Sequence, residues 1–160
     1  MDMNKRQRGF TIIELIVIIV VIGILAAITL YGANRYQMDA RDAKRTTSIT
    51  VISEALEKYY DQNGEYPNCG AVGAAGATVV ANTLKDLNAA VLVAPQAASG
   101  VTNSLGCGTV ATTANDVFQY VGDGTNPCTN STGACLRYTL RYKSESDGTI
   151  IQLKSRRPAS

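Results

Sequence analysis

The stretch "RQRGFTIIELIVIIVVIGILAAITL", residues 6–30, decides the fold. It runs from a basic leader straight into 21 residues, Phe10 to Leu30, that carry a single charge, Glu14. At about 1.5 Å per residue that run makes about 30 Å of helix, the thickness of a bilayer core. A secretory signal would have a shorter apolar region followed by a small-residue cleavage site, and Ala26-Ala27-Ile28 is a poor one. Lys5, Arg6 and Arg8 precede the segment and place the N-terminus on the cytoplasmic side, with the remainder outside. A carboxylate inside such a helix costs about 2.5–3.5 kcal/mol on insertion scales, and functional pairing is its usual reason. Glu14 is therefore either a paired functional group or, four residues into the run, an interfacial one that reaches water.

Charge follows the same division. Of 15 Lys and Arg, three lie ahead of Phe10, opposed there only by Asp2. The remaining 12 cations meet 12 acids, so the formal +2 resides in the leader, and the chain beyond it has no general bias toward nucleic acid. The chain has no His, which removes the commonest general base and metal ligand. The Gly-Ala stretch 70–76 lacks the Lys-Ser/Thr of a phosphate loop. "DGTN" (123–126) and "DQNGE" (61–65) lack the spacing of an EF-hand. Neither enzyme activity nor a cofactor is expected, and no metal site is assigned.

Gly9-Phe10-Thr11-Ile12-Ile13-Glu14, behind a basic leader and ahead of "IVVIGILAAI", resembles the N-terminus of the type IV pilin family, which includes the pseudopilins of type II secretion and competence systems. The resemblance covers about 25 residues. It implies that a prepilin peptidase cuts between Gly9 and Phe10 and methylates the Phe10 amine, and that Glu14 serves subunit assembly. It further implies identical or related pilin subunits, an inner-membrane assembly platform with its ATPase motor, and membrane lipid before assembly as partners. Some pseudopilins bind calcium near the C-terminus, which draws notice to Asp123 and Asp147 without assigning them. Where the family often has a proline shortly after Ala-Ala-Ile, this chain has Tyr31, so the melting of the helix around Gly23 that accompanies polymerisation in the family is not carried over.

Beyond Leu30 no proline occurs before Pro67, and Ile49, Ile52, Leu56 and Tyr59 or Tyr60 recur at helical spacing, a face suited to packing on a sheet. Asp39, Arg41, Asp42, Lys44 and Arg45 read as a solvated face, or as charges meeting neighbouring subunits. Asn63-Gly64 followed by Pro67 stops the helix. Residues 69–115, rich in Ala, Gly and Thr, read as loop with one short helix capped by Asn82 and ended by Pro95. "VFQYV" (117–121), "LRYTLRYK" (136–143) and "TIIQLK" (149–154) read as strands of a small antiparallel sheet. Leu136, Tyr138, Leu140 and Tyr142 form one side of the second strand, Arg137, Arg141 and Lys143 the polar side, and Ile151 and Leu153 share a side of the third.

The expected organisation is α+β and pilin-like: a cleaved leader (1–9), a transmembrane and filament-core helix (10–30), its amphipathic continuation (31–63), and a head (64–160) with a variable loop region (69–115) and a sheet (117–154). Cys69, Cys107, Cys128 and Cys135 all lie beyond the membrane segment, an even count suited to disulfides in an oxidising compartment. Of the three pairings open to four cysteines, nearest neighbours are favoured. Asn130-Ser131-Thr132 matches a glycosylation sequon of little weight in a bacterial-type protein. The tail "LKSRRPAS" suggests DNA capture through Lys154, Arg156 and Arg157, against the plainer reading of a frayed, solvated end. The function read from all this is a structural filament subunit, held in the membrane before assembly and extracellular or periplasmic afterwards. The alternatives are a minor pilin or pseudopilin, or a single-pass membrane protein with an extracellular binding domain.

Overall fold

The computed structural model describes residues 10–108, 114–123, 128 and 135–157. One helix, α1, runs unbroken from Ile12 to Asn63. It passes Gly23 and Tyr31 without interruption, and a lone glycine costs only about 0.8–1.0 kcal/mol against alanine in such a setting. The chain divides into two units, residues 1–37 and 38–160.

In the first unit the described apolar side chains are exposed. Every large hydrophobic residue from Phe10 to Ile28 is at least 42% exposed. The helix is long and apolar enough to cross a membrane. Within the apolar run the Thr29 hydroxyl is satisfied locally, donating to the Leu25 and Ala26 carbonyls at 2.8 and 3.0 Å.

The second unit has a packed core. Ile49, Ile52 and Leu56 of α1 are buried with Phe118, Tyr120, Tyr138, Leu140 and Tyr142 of the sheet, and each aliphatic side chain so removed from water contributes about 1.5–3 kcal/mol. The helix stops where the sequence predicts: Gly64 adopts φ +76°, open to glycine at no steric cost, and its N–H closes on the Tyr60 carbonyl at 2.8 Å.

The sheet has four strands in the order β1 (Leu105–Cys107), β2 (Phe118–Asp123), β3 (Arg137–Lys143), β4 (Ile150–Lys154). β2–β3 and β3–β4 are antiparallel, but β1 runs parallel to β2, so the sheet is mixed rather than purely antiparallel. β1 escapes sequence reading because it is three residues long, contains Gly106 and lies in the Ala/Gly/Thr-rich region. β3 begins one residue later than expected, which leaves Leu136 41% exposed instead of on the buried side. β4 is an edge strand where Leu153 packs on the core while Ile151 stays exposed.

The region after α1 also departs from expectation. In place of a helix beginning at Asn82 there are short turns, α2 (Cys69–Val72) and α3 (Gly76–Thr78), a π turn (Val79–Thr83) and a 3-10 turn (Ala89–Leu92). Asp86, at φ +69°, breaks the run that Leu84, Leu87 and Val91 suggest. Its carboxylate accepts from Lys58 Nζ at 2.6 Å, a contact from outside the segment that local periodicity does not register.

Candidate functional site

Two constellations carry the chemistry of this chain, one in each unit. The first opens α1. Thr11 precedes the first helical residue, and Glu14 occupies the third helical position. The Thr11 N–H and hydroxyl both donate to Glu14 Oε2 at 3.3 Å, and the Glu14 N–H donates to Thr11 Oγ1 at 3.3 Å. This reciprocal pair is a capping box, which satisfies two of the backbone donors that every helix leaves open at its start. The carboxylate also sits at the positive end of the helix dipole. Glu14 is thus held in the same turn as Phe10, whose side chain is 75% exposed. The T-x-x-E spacing stood in the sequence and signals this cap; reading the carboxylate only as a membrane charge overlooks it. Gly9 lies outside the described residues, so the geometry of the expected cleavage bond is not part of this picture.

The second constellation fixes α1 to the turn between β3 and β4. Arg45 is fully buried. Its guanidinium donates to Asp42 Oδ1 (2.8 Å), Gln96 Oε1 (2.8 Å), the Asn115 carbonyl (3.1 Å) and Glu145 Oε2 (3.3 and 3.4 Å). Arg41 clasps Glu145 with two bonds of 2.8 and 2.5 Å. Asp42 in turn accepts the N–H groups of Glu145 and Ser146 and the Ser144 hydroxyl. Burial pushes the Asp42 carboxyl up, but those donors outweigh it and bring it down to about 2. Hydrogen bonding from Arg41 likewise holds Glu145 below the usual carboxylate range. The expectation of a solvated face is therefore overturned at Arg41, Asp42 and Arg45, and holds at Asp39 and Lys44, which are exposed. Sequence reading missed this because Glu145 lies about a hundred positions away, in a turn with no periodic signal.

A tyrosine network closes the other end of the second unit. Tyr138 shares a 2.7 Å hydrogen bond with the Ser53 hydroxyl and reaches Glu57 Oε1 at 3.1 Å, while Tyr66 donates to Glu57 Oε2 at 2.8 Å. Tyr120 donates to the Pro67 carbonyl at 2.7 Å, and Tyr142 shares a bond with Thr46 at 2.7 Å. Burial, chiefly, pushes the Tyr66, Tyr120 and Tyr138 hydroxyls well above their ordinary range, so all three act as neutral groups here. Glu57 also accepts the Arg156 N–H at 3.1 Å. Arg157 pairs with Asp61 and lies 4.5 Å above the Tyr60 ring. The frayed-tail expectation thus fails through Arg157, because the helix offers that residue two acids and an aromatic face.

Cys69 is joined to Cys107, and Cys128 to Cys135. The first link ties α2 to β1. The second closes over "TNSTGA", which lies outside the described residues together with the Asn130 sequon. Asp147 accepts from the Thr149 N–H and hydroxyl at 3.0 and 2.8 Å, a turn-capping role; the Asp123 side chain is outside the description. Among the described residues no three His, Cys, Asp or Glu side chains cluster as metal ligands would.

Comparison with known proteins reaches the first constellation through a family model. Residues 4–30 match the prokaryotic N-terminal methylation motif. The fimbrial protein of Neisseria meningitidis serogroup A is 32% identical over 107 residues, 64% of this chain and 63% of that protein. The type IV major pilin protein PilA of Myxococcus xanthus is 32% identical over 39% of this chain and 29% of its own length. The type II secretion system core protein G of Dickeya chrysanthemi is 34% identical over 41% of this chain and 42% of its own. The chain thus spans less than two thirds of each of these relatives. No solved structure matches it.

Proposed function

We propose that the chain is a member of the type IV pilin family and a structural, non-enzymatic subunit of a type IV pilus or related filament. A prepilin peptidase removes residues 1–9 and methylates Phe10. The mature subunit waits in the membrane with its N-terminus toward the cytoplasm, and an assembly platform driven by an ATPase then draws it into a filament with related subunits. One observation carries this reading: an N-terminal helix opened by a Thr11–Glu14 cap, within the methylation motif, presents an apolar surface that is exposed from Phe10 to Ile28. Such a surface needs lipid first and other helices later, which is what a stored and then polymerised subunit requires.

Cleavage leaves a cationic amine on Phe10, one helical turn from Glu14. In the apolar interior of a filament both charges need partners. A subunit entering the bundle satisfies its neighbour's ammonium with its own carboxylate at one axial offset, so Glu14 sets register rather than adding net stability. The 34% identity to a type II secretion core protein favours the pseudopilin as second reading. Intact-mass measurement of the N-terminus tests the processing, with a chain beginning at methylated Phe10 expected from the wild type and a retained leader from Gly9→Val. Wild-type surface protein still beginning at Met1 overturns the reading. Electron microscopy of sheared fibres separates a major subunit from a pseudopilin.

A further inference from the structure

β4 is the open edge of the sheet. Among the described residues it pairs only with β3, whereas the opposite edge strand, β1, is tied to α2 through Cys69–Cys107. The Ser155 N–H donates to the Tyr138 carbonyl at 3.0 Å, and the Ser144 N–H to the Thr149 carbonyl at 2.8 Å. Hydrogen-bonded pairs alternate in an antiparallel ladder, so Thr149, Ile151, Leu153 and Ser155 direct their backbone groups at β3. Ile150, Gln152 and Lys154 direct theirs outward, and no described residue bonds to those groups. On the core side of the strand Ile151 is 38% exposed and Leu153 is half-buried. Natural edges are commonly blunted by a proline, a bulge or a mid-strand charge. β4 has no proline, keeps unbroken register with β3 from Ile150 to Lys154, and carries its one cation at the end.

We infer that β4 pairs antiparallel with β4 of a second copy of this chain, about a two-fold axis at Gln152, to make one continuous sheet. In this register Gln152 faces the second copy's Gln152 and Ile150 faces its Lys154. Every outward backbone group of the strand then finds a partner, in about six hydrogen bonds. Sliding the copies by two residues either way sets part of the strand against the turn before it or the tail after it, and leaves about four. The side chains agree with the register. On the core side Ile151 meets the second copy's Leu153 at the closer spacing of non-hydrogen-bonded pairs, about 4.5 Å between Cα atoms, which covers the exposed apolar surface of both. On the outer side each Lys154 lies against an isoleucine, and the two lysines stay about 14 Å apart along the strand. A parallel pairing in register would set them side by side. A strand of five residues buries less than a standard stable interface, so a single contact is weak and concentration-dependent. The axis stands normal to the sheet and reverses every direction in its plane, including that of residues 38–63 of α1, which pack on it. The pairing is therefore distinct from head-to-tail polymerisation and links chains that run in opposite directions.

The test is disulfide trapping in the full chain, held in uncharged detergent micelles. All four native cysteines are paired, so an added one reports alone. Gln152→Cys sets two thiols at a pair spacing of about 5.5 Å between Cα atoms, within a disulfide's reach of about 4.4–6.8 Å. Mild oxidation should link this variant into dimers at about ten times the yield of Ile150→Cys or Lys154→Cys alone. Those two variants, mixed, should link to each other. In detergent-matched sedimentation the wild type should dimerise as its concentration rises, and Gln152→Pro should not. The N–H that proline lacks faces outward, so pairing of β3 with β4 is kept. Ile151→Lys, which sets a charge against the second copy's Leu153, should disrupt the dimer as well, and the near-UV tyrosine signal verifies that each variant is folded. A wild type that stays monomeric at every concentration, equal linking of the three single-cysteine variants, or a folded Gln152→Pro chain that still dimerises overturns the assignment.

Discussion

Replacing Arg45 by methionine isolates the contribution of the charged network between α1 and the β3–β4 turn. Methionine fills much of the volume of the arginine stem and introduces no polar atom, so what changes is the guanidinium. In the native chain that group, fully buried, serves Asp42, Gln96, the Asn115 carbonyl and Glu145. Removing one member of a buried ion pair typically costs about 3–5 kcal/mol, because the partners stay buried and uncompensated. Here the lower end applies: Glu145 keeps both bonds from Arg41, and Asp42 keeps the donors of residues 144–146. What is orphaned is the Gln96 and Asn115 oxygens and part of the charge balance. The expected loss is about 3 kcal/mol, or about 12 °C in Tm at about 4 °C per kcal/mol for a unit of this size. Thermal unfolding followed by near-UV circular dichroism reads it, since Tyr66, Tyr120, Tyr138 and Tyr142 are all buried in this unit. Arg41→Met, at a side chain 31% exposed, should cost clearly less. A loss below about 1 kcal/mol for Arg45→Met, or the reverse order of the two variants, refutes the idea that this network anchors the helix.

Acid should destabilise the second unit in a defined window. The Asp42 carboxyl is lowered to about 2 from an ordinary 3.8, so its contribution, on the order of 2 kcal/mol, is present above about pH 4 and is lost as pH falls through about 2. Urea midpoints against pH should show that slope in the wild type and a flatter one in Asp42→Asn. Paired serine substitution of Cys69 and Cys107 should destabilise more than that of Cys128 and Cys135, by about 1.5 kcal/mol in the chain-entropy model, because the loops span 38 and 7 positions; equal losses by denaturant titration would count against the entropic account. Glu14→Val and Glu14→Gln should both insert and be cleaved but fail to form fibres, since each removes the charge while glutamine can still serve a capping box. Wild-type fibre yield from Glu14→Gln would mean that the cap, not the charge, is what assembly uses.

What could be read in the chain and what could not follows from the range of the interactions. Ile49, Ile52 and Leu56 announce a buried helical face because helical spacing is a local property, and Tyr138, Leu140 and Tyr142 announce a strand for the same reason. Gly64 marks the helix end because one residue with positive φ suffices. Arg45 gives no such signal: its neighbours in sequence are charged and its burial depends on Gln96, Asn115 and Glu145, which folding brings from three separate places. Asp86 interrupts a locally plausible helix for a similar reason, through Lys58. β1 is invisible because a three-residue strand around Gly106 has no period to detect and is held by its pairing with β2.

Glu14 shows both kinds of information in one residue. As a charge in an apolar run it signals function, and its cost argues against placing it there without a partner. As the fourth residue of a T-x-x-E pattern it signals a helix start, and the same carboxylate then accepts two donors from Thr11. These readings reinforce each other. A carboxylate already engaged by its own helix terminus is less costly to hold in a membrane, so under the proposed function a stored subunit would wait without an external cation. Yet the Thr11 bonds are long, at 3.3 Å, and neutral on the donor side, so they compete poorly with an ammonium. The cap therefore holds Glu14 in position and leaves it available. A stronger internal partner, such as a lysine one turn along, would stabilise the monomer in the membrane and remove the reason to choose one axial offset over another.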